Sequence, residues 1–149
     1  MKGFTLIEIL VAVGILALLA ALAVSGLSSF QESGDLLRTA DSVAGMLRDA
    51  RGRTLASKND LQYGVHFDAN QAVLFEGVTY SAGAASNEEI IFPFRVEISS
   101  IALGGGSDVV FRRLSGEAIT TGTIAVGVKK NPAKTKEVRV YESGVVEIK

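Results

Sequence analysis

The sequence predicts an α+β protein in which one long N-terminal helix packs on an antiparallel β-sheet head. Three observations support this prediction. Residues 4–26 are almost entirely apolar, apolar residues then recur at helical spacing as far as Thr54, and from Leu61 onward short alternating segments are separated by turn residues. Because the helical part precedes the strand segments instead of alternating with them, the layout is α+β and not α/β.

The N-terminal apolar run is long enough to cross a membrane and contains a single acid. Between Phe4 and Val24, Glu8 is the only residue that can carry a charge. At ~1.5 Å per residue the run forms about 31 Å of helix, close to the hydrocarbon thickness of a bilayer. A charged carboxylate there costs roughly 2.5–3.5 kcal/mol, so we expect Glu8 to have a role that a simple anchor would not need.

The N-terminus resembles the class III signal of type IV pilins and pseudopilins: a short basic leader ends in Gly3, and Phe4-Thr5-Leu6-Ile7-Glu8 and the apolar run follow. In that family a prepilin peptidase cuts after the glycine and methylates the new terminal amine. The resemblance therefore implies cleavage between Gly3 and Phe4 and N-methylation of Phe4. It also implies that Phe4 and Glu8 take part in filament assembly.

The chemistry of these residues is compatible with such a role. The α-amino group of a processed Phe4 would be cationic at neutral pH, since its ordinary pKa is roughly 7.7–8.0. Pairing with Glu8 of a neighbouring subunit would set the axial register of a filament. Two alternatives remain open: a protonated Glu8, and a Glu8 whose carboxylate lies in water at the membrane interface. A conventional secretory signal cut after residues 20–23 is a third alternative, but the apolar core of such a signal would not contain an acid such as Glu8.

The helix is expected to continue beyond the membrane as an amphipathic segment. Its apolar stripe, which Leu37, Ala44 and Leu55 are expected to widen, consists of Leu36, Ala40, Val43, Leu47, Ala50 and Thr54. Turn-prone residues 57–60 end it. The chain thus divides into a leader (1–3), a membrane or filament-core stem (4–26), an amphipathic continuation (27–60) and a β-rich head (61–149).

The head is expected to contain short antiparallel strands separated by turns at Gly and Asn. Asp68-Ala69-Asn70 should connect the first two strands, and Ser143-Gly144 should form a final hairpin. Tyr63, Val65 and Phe67 should lie on one side of the first strand, with His66 directed away from the core. The later predicted strands are 73–75, 90–94, 96–103, 109–114, 123–129, 137–142 and 145–148.

Three segments resemble the GspH/FimT-like minor pseudopilins and minor pilins. These are Leu47-Arg48-Asp49-Ala50-Arg51 at the end of the helix, residues 110–116 with a Phe and a closing Gly, and the strand–Gly turn–strand pattern of residues 138–148. Their family shares the predicted fold, so the resemblance supports the helix-plus-head layout and a structural role.

Composition argues against catalysis. The chain has no Cys, one His and nearly balanced charge, with 15 basic and 16 acidic residues. Zinc ligation and Cys/His nucleophilic chemistry therefore lack their residues. Residues 104–107, three Gly and a Ser, are not followed by the Lys and helix of a phosphate-binding loop. Glu88-Glu89 is interpreted as solvated loop charge. We expect no enzymatic activity, no cofactor and no metal.

Nucleic-acid binding is the functional alternative that the sequence raises in the head. Four lysines lie within eight residues: Lys129, Lys130, Lys134 and Lys136. They could make weak, salt-sensitive contacts with DNA phosphates. Some FimT-like pilins bind DNA through a basic Gly-Arg-x-Arg stretch, but here the matching hairpin at Gly144 has no Arg and is flanked by Glu142 and Glu147. A solvated hairpin loop is therefore favoured, and nucleic acid is not an expected partner.

The sequence as a whole predicts a structural subunit, a minor pilin or pseudopilin. The expected partners are the prepilin peptidase, other subunits through the helix, an inner-membrane assembly platform, and membrane lipid before assembly. The expected location is the bacterial inner membrane, crossed once, with the head in the periplasm or outside the membrane, and then a pilus or pseudopilus. A major pilin and a membrane-tethered binding module that never polymerises remain alternatives, as does the choice between type II secretion and type IV pilus machines.

Overall fold

The computed structural model describes residues 3–149, without the side chains of residues 23–28. Over these residues it contains one long helix, α1 (Leu6–Leu55), a single 3-10 turn at Lys58–Asp60, and eight strands. The strands are β1 (Tyr63–Asp68), β2 (Gln71–Glu76), β3 (Glu88–Ile91), β4 (Val96–Leu103), β5 (Asp108–Val110), β6 (Gly122–Val128), β7 (Asn131–Val140) and β8 (Val146–Ile148).

The strands form two four-stranded antiparallel sheets. One has the order β3-β2-β1-β5 and the other β4-β6-β7-β8. The second half of α1 packs against both sheets, so the core lies between the helix and the strands. The α+β layout that the sequence predicts is confirmed. Of the proposed leader, Met1 and Lys2 lie outside the described residues, as do the side chains at the end of the proposed stem.

The apolar stripe of α1 is confirmed by its burial. All six predicted stripe residues are buried against the sheets, and Ala44 is buried with them. Leu37 and Leu55 are instead exposed, whereas Thr39 and Met46 are buried. The buried face of α1 is thus rotated slightly around the helix from the predicted stripe. It extends towards Thr39 and Met46 and away from Leu37 and Leu55, because the contact with the two sheets decides which side of the stripe is covered.

Thr54, the polar member of the stripe, connects the end of the helix to the first strand. Its hydroxyl donates to the carbonyl of Ala50 over 2.8 Å and accepts the backbone N–H of Tyr63 over 2.9 Å. Both Thr54 and Tyr63 are fully buried. A buried N–H without an acceptor is costly, so this contact fixes where β1 begins.

Replacing Thr54 with Val is expected to destabilise the protein by about 1–3 kcal/mol, because the shape is retained while the buried N–H of Tyr63 loses its acceptor. The free energy of unfolding of the full chain in detergent, measured with denaturant, tests this. Thr54→Ser is the matched control: it keeps the hydroxyl and should lose clearly less stability. Equal stability of the Val variant and the wild type would contradict the assigned contact.

β7 begins at Asn131, six residues before the strand predicted at 137–142. It pairs with β6 through an irregularity, since Gly127 faces Thr135 but Val128 faces Asn131. Pro132 has no N–H to donate and is accommodated in this bulge. The loop interpretation of the lysine segment is therefore corrected: Lys129 and Lys130 form the turn, while Lys134 and Lys136 lie on the strand.

Two other predicted strands are shorter than expected. Residues 109–114 form only β5 and an isolated bridge from Phe111 to Ala118, after which Leu114 adopts φ 68° and the chain turns. A leucine in the left-handed region ends an extended segment. β3 ends at Ile91 because Pro93 cannot donate to a neighbouring strand. Glu88 and Glu89 belong to β3, not to a loop.

Candidate processing and assembly site

The predicted cleavage position lies in extended chain just before α1. Gly3 and Phe4 precede the helix, and its N-cap residue Thr5 has φ −83° and ψ 152°. The Phe4 side chain is 82 % exposed. A Cβ added to Gly3 would meet nothing within 4 Å. The fold of this chain therefore does not require glycine at position 3, and a processing enzyme could reach the bond between Gly3 and Phe4.

Glu8 lies in the first turn of α1, where a negative charge is favoured by the helix dipole. Its backbone N–H donates to the carbonyl of Thr5 over 3.1 Å. Among the described residues, none forms a hydrogen bond or ion pair with the Glu8 carboxylate. Glu8 thus lies four residues after Phe4, in the first turn of the helix, with its side chain exposed.

The N-terminal part of α1 lies outside the core that the second half of the helix forms with the two sheets. Large apolar side chains are exposed all round it; they are Leu6, Ile7, Ile9, Leu10, Val11, Val13, Ile15, Leu16, Leu18, Leu19 and Leu22. Exposed apolar surface of this extent marks a site of contact with another protein or with lipid. Searched over the described residues alone, the helix does not meet the length and apolarity needed for a membrane span.

The three segments that the sequence singled out separately meet where the helix joins the head. Arg51 donates from Nε to the carbonyl of Gly116 over 3.0 Å and from Nη2 to the carbonyl of Ser143 over 3.2 Å. Arg48 donates from Nη2 to the carbonyl of Val146 over 3.1 Å. The helix end, the turn after β5 and the final hairpin are therefore joined through two arginines, which hold the stem in a defined direction relative to the head.

Gly144 makes this junction sterically feasible. Its φ is +77°, in the region that favours glycine, and its N–H donates to the carbonyl of Tyr141 over 2.8 Å, closing the predicted hairpin. A Cβ here would lie 2.0 Å from the carbonyl oxygen of Gly116 and 2.6 Å from Nε of Arg51. The role of Gly144 is thus close packing against the helix, in addition to the turn.

Two of the four lysines in the predicted cluster are engaged within the fold. Lys129 donates from Nζ to Oδ1 of Asn70 over 2.8 Å. Lys134 reaches the helix, with Nζ 2.9 Å from Oγ of Ser29 and 3.8 Å from Oε2 of Glu32. Within the described chain, Lys130 and Lys136 have no such contact. The cluster therefore does not present four free cations to one ligand.

Glu88 has a structural partner that the sequence did not reveal. Arg53 contacts both carboxylate oxygens of Glu88 and Oδ2 of Asp49, the last over 2.7 Å. This guanidinium lowers the pKa of Glu88 and the acids raise the pKa of Arg53. The pair joins the helix to the edge strand β3. Helical spacing placed Arg53 off the stripe, but only the fold shows which acid it meets.

His66 lies outside the core, as predicted, but is half-buried and not free in solvent. Its ring stacks on Tyr80 with centroids 3.9 Å apart, and Nδ1 contacts Oδ1 of Asp108. Asp108 comes from β5, far from His66 in sequence, so alternation within β1 could not reveal the pair. In the part of the chain that the structure describes, no group of three or more His, Cys, Asp or Glu side chains could hold a metal ion.

Comparisons with known proteins agree with this geometry. The family described as the prokaryotic N-terminal methylation motif matches residues 1–24. No curated protein matches the sequence significantly. The structure is similar to the minor pseudopilin EpsH of the Vibrio cholerae type 2 secretion system, with TM-score 0.59, 16% identity, and 78% of this chain and 94% of EpsH covered.

It is also similar to the type IV minor pilin FimU of Pseudomonas aeruginosa, with TM-score 0.61, 14% identity, and 80% of this chain and 92% of FimU covered. At such identities the similarity concerns the fold. The chain thus combines a match to the prokaryotic N-terminal methylation motif over residues 1–24 with a fold similar to that of the minor pseudopilin EpsH and the minor pilin FimU.

Proposed function

We propose that this chain is a minor pilin or pseudopilin that is inserted in the inner membrane through residues 4–26, processed between Gly3 and Phe4, and assembled into a filament through α1. One observation carries the proposal: the helix segment covered by the methylation motif exposes large apolar side chains on all sides from Leu6 to Leu22 and is interrupted by a single acid, Glu8. A helix with these properties needs lipid or other helices around it.

In the proposed sequence of events, lipid surrounds the helix first and the helices of other subunits surround it later. In the membrane, the apolar stem is solvated by lipid. After processing, the terminal ammonium of Phe4 and the carboxylate of Glu8 on different subunits provide opposite charges within an apolar bundle of stems. The rigid connection of Arg48 and Arg51 to the head keeps each head in a fixed orientation as stems pack. The chain would act as an enzyme's substrate and not as an enzyme.

The minor-subunit assignment is supported by the head fold, which resembles EpsH and FimU. That likeness leaves both the type II secretion pseudopilus and the type IV pilus as candidate machines. DNA binding is not proposed, because Lys129 and Lys134 already have partners in the fold and the acids Glu142 and Glu147 flank the final hairpin.

Mass spectrometry of the N-terminus tests the processing step. The chain is produced with and without a prepilin peptidase, and the expected product begins at N-methylated Phe4. Gly3→Ala should block cleavage. Because a Cβ at Gly3 meets nothing in this fold, that loss would report recognition by the peptidase and not misfolding.

Gly14→Ala is the matched control, since a Cβ there also meets nothing within 4 Å. It should leave cleavage unchanged. An uncleaved chain in the presence of the peptidase, or a product that begins beyond Ala23, would refute the proposed processing and favour a tethered or secreted β domain.

A further inference from the structure

The base of the head, where it meets the middle of α1, has exposed aromatic side chains next to cations. Phe30 is 78 % exposed and Phe94 is 74 % exposed. Phe30 and Arg95 line the same groove, and the Arg95 guanidinium carbon lies 4.6 Å from the centroid of the Phe94 ring. Neither ring is used in the core, so an internal packing role does not explain them.

The turn between β6 and β7 adds positive charge to the same end of the head. The backbone N–H of Lys129 donates to the carbonyl of Arg95 over 2.9 Å, which places the turn beside the aromatic groove. Lys130 follows and is exposed.

The base of the head carries more free positive than negative charge when the ion pairs within the fold are not counted. Arg95 is paired with Asp35 at 3.6 Å and Lys134 with Glu32 at 3.8 Å. The groove also contains Arg38. Arg38 and Lys130 form no ion pair within the described residues, and Lys129 keeps its positive charge because its partner, Asn70, is neutral. The acids beside them are exposed Asp68 at the end of β1 and half-buried Glu97 on β4.

The position of this base relative to the stem indicates what it faces. Phe30 lies about 9 Å along the helix beyond Val24, the end of the uncharged run. Headgroups extend roughly 5–8 Å beyond the hydrocarbon core on each side of a bilayer. Side chains on a helix also lean towards its N-terminus, here towards the membrane. Phe side chains together with Lys and Arg are typical of protein surfaces that bind at the membrane interface.

We propose that this base, defined by Phe30, Phe94, Arg95, Lys129 and Lys130, is a lipid-contact surface that rests on anionic headgroups before assembly. The inference depends on the proposed insertion of residues 4–26 in the membrane. It assigns a second, separate contact with lipid to the head, which would restrict its tilt and present the α1 stem in one orientation to the assembling filament.

The chain contains no Trp, so a single introduced Trp reports its own surroundings. Phe94→Trp places the reporter at the base, and Val145→Trp places a matched, exposed reporter on the final hairpin near the other end of the helix. Each full-length variant is reconstituted in vesicles of phosphatidylcholine alone and of phosphatidylcholine with phosphatidylglycerol. A lipid with a nitroxide on its headgroup serves as the quencher.

The Phe94→Trp fluorescence should be quenched more strongly in anionic vesicles than in neutral ones, and Val145→Trp should be quenched in neither. Adding Lys130→Gln should reduce the ratio of bound to unbound heads about fivefold, equivalent to about 1 kcal/mol for one basic residue near an anionic surface. The exposed Lys130 side chain has no hydrogen bond or ion pair among the described residues, so this change should not disturb the head.

Equal quenching of the two reporters in a chain that does partition into vesicles would overturn the lipid-contact surface while leaving the stem proposal intact. Protection of the Phe94→Trp reporter that grows with the protein-to-lipid ratio would also overturn it, and would indicate a second copy of the chain as the occupant. Failure of the chain to partition into either vesicle would overturn the membrane stem, and this inference with it.

Discussion

Replacing Glu8 with Ala is expected to prevent incorporation of the chain into a filament while leaving cleavage between Gly3 and Phe4 intact. In a bundle of apolar stems, removal of one partner of a buried ion pair costs about 3–5 kcal/mol, because the remaining ammonium is left uncompensated. At 1.4 kcal/mol for each factor of ten, incorporation should fall by roughly a hundredfold or more. The measurement is the amount of mature chain in sheared filaments relative to mature chain in the membrane.

The variant also separates assembly from insertion. Removing the carboxylate makes the stem more apolar, so membrane insertion should be at least as favourable as in the wild type. Glu8→Asp, which keeps the charge on a shorter side chain, should retain part of the incorporation. Val13→Ala is the control for a change of volume in the same exposed segment and should have a small effect. Wild-type incorporation of Glu8→Ala would contradict the assembly role of this acid.

Replacing Gly144 with Ala is expected to destabilise the head by about 2–5 kcal/mol. Two costs add: a left-handed conformation costs an alanine about 1–2 kcal/mol, and overpacking costs typically 1–3 kcal/mol. The second arises because the new Cβ would lie 2.0 Å from a backbone oxygen at Gly116. Relief of this clash has to separate the final hairpin from the Gly116 turn and from the Arg51 side chain, which should weaken the hydrogen bonds that Arg51 donates to both segments.

Gly83→Ala separates the two costs. Gly83 has the same φ of +77°, but a Cβ there meets nothing within 4 Å, so only the conformational cost applies. Denaturant unfolding of both full-length variants in detergent should show a clearly larger loss for Gly144→Ala. Equal losses would mean that the hairpin moves away from the helix without cost, and would contradict the role of the junction in holding the head.

Features that depend on neighbours in sequence were predictable. The burial of Leu36, Ala40 and Val43 follows from helical spacing, which repeats every few residues and needs no knowledge of the partner surface. The final hairpin follows from Gly144 between two alternating segments. The methylation motif is likewise local, since Gly3, Phe4 and Glu8 lie within one short stretch.

Features that depend on distant segments were not predictable from those patterns. The lysine run of residues 129–136 suggested one exposed loop, but pairing of β7 with β6 draws Lys134 back to the helix and leaves Lys130 in the turn. Glu88 looked like free loop charge because its partner, Arg53, is 35 residues away in sequence. Charge and polarity show that a residue can pair, but not with which residue.

The sequence by itself determined the N-terminal methylation motif, the apolar run with its one acid, the amphipathic continuation and the change to β-structure, because each follows from periodicity or from adjacent residues. Only the tertiary structure decided that Leu47–Arg51, the turn ending at Gly116 and the hairpin at Gly144 form one junction, and that Phe30 and Phe94 share the base of the head. Both bring residues of the helix together with parts of the head more than 60 residues away in sequence, and this depends on how two sheets pack on one helix and not on any local pattern.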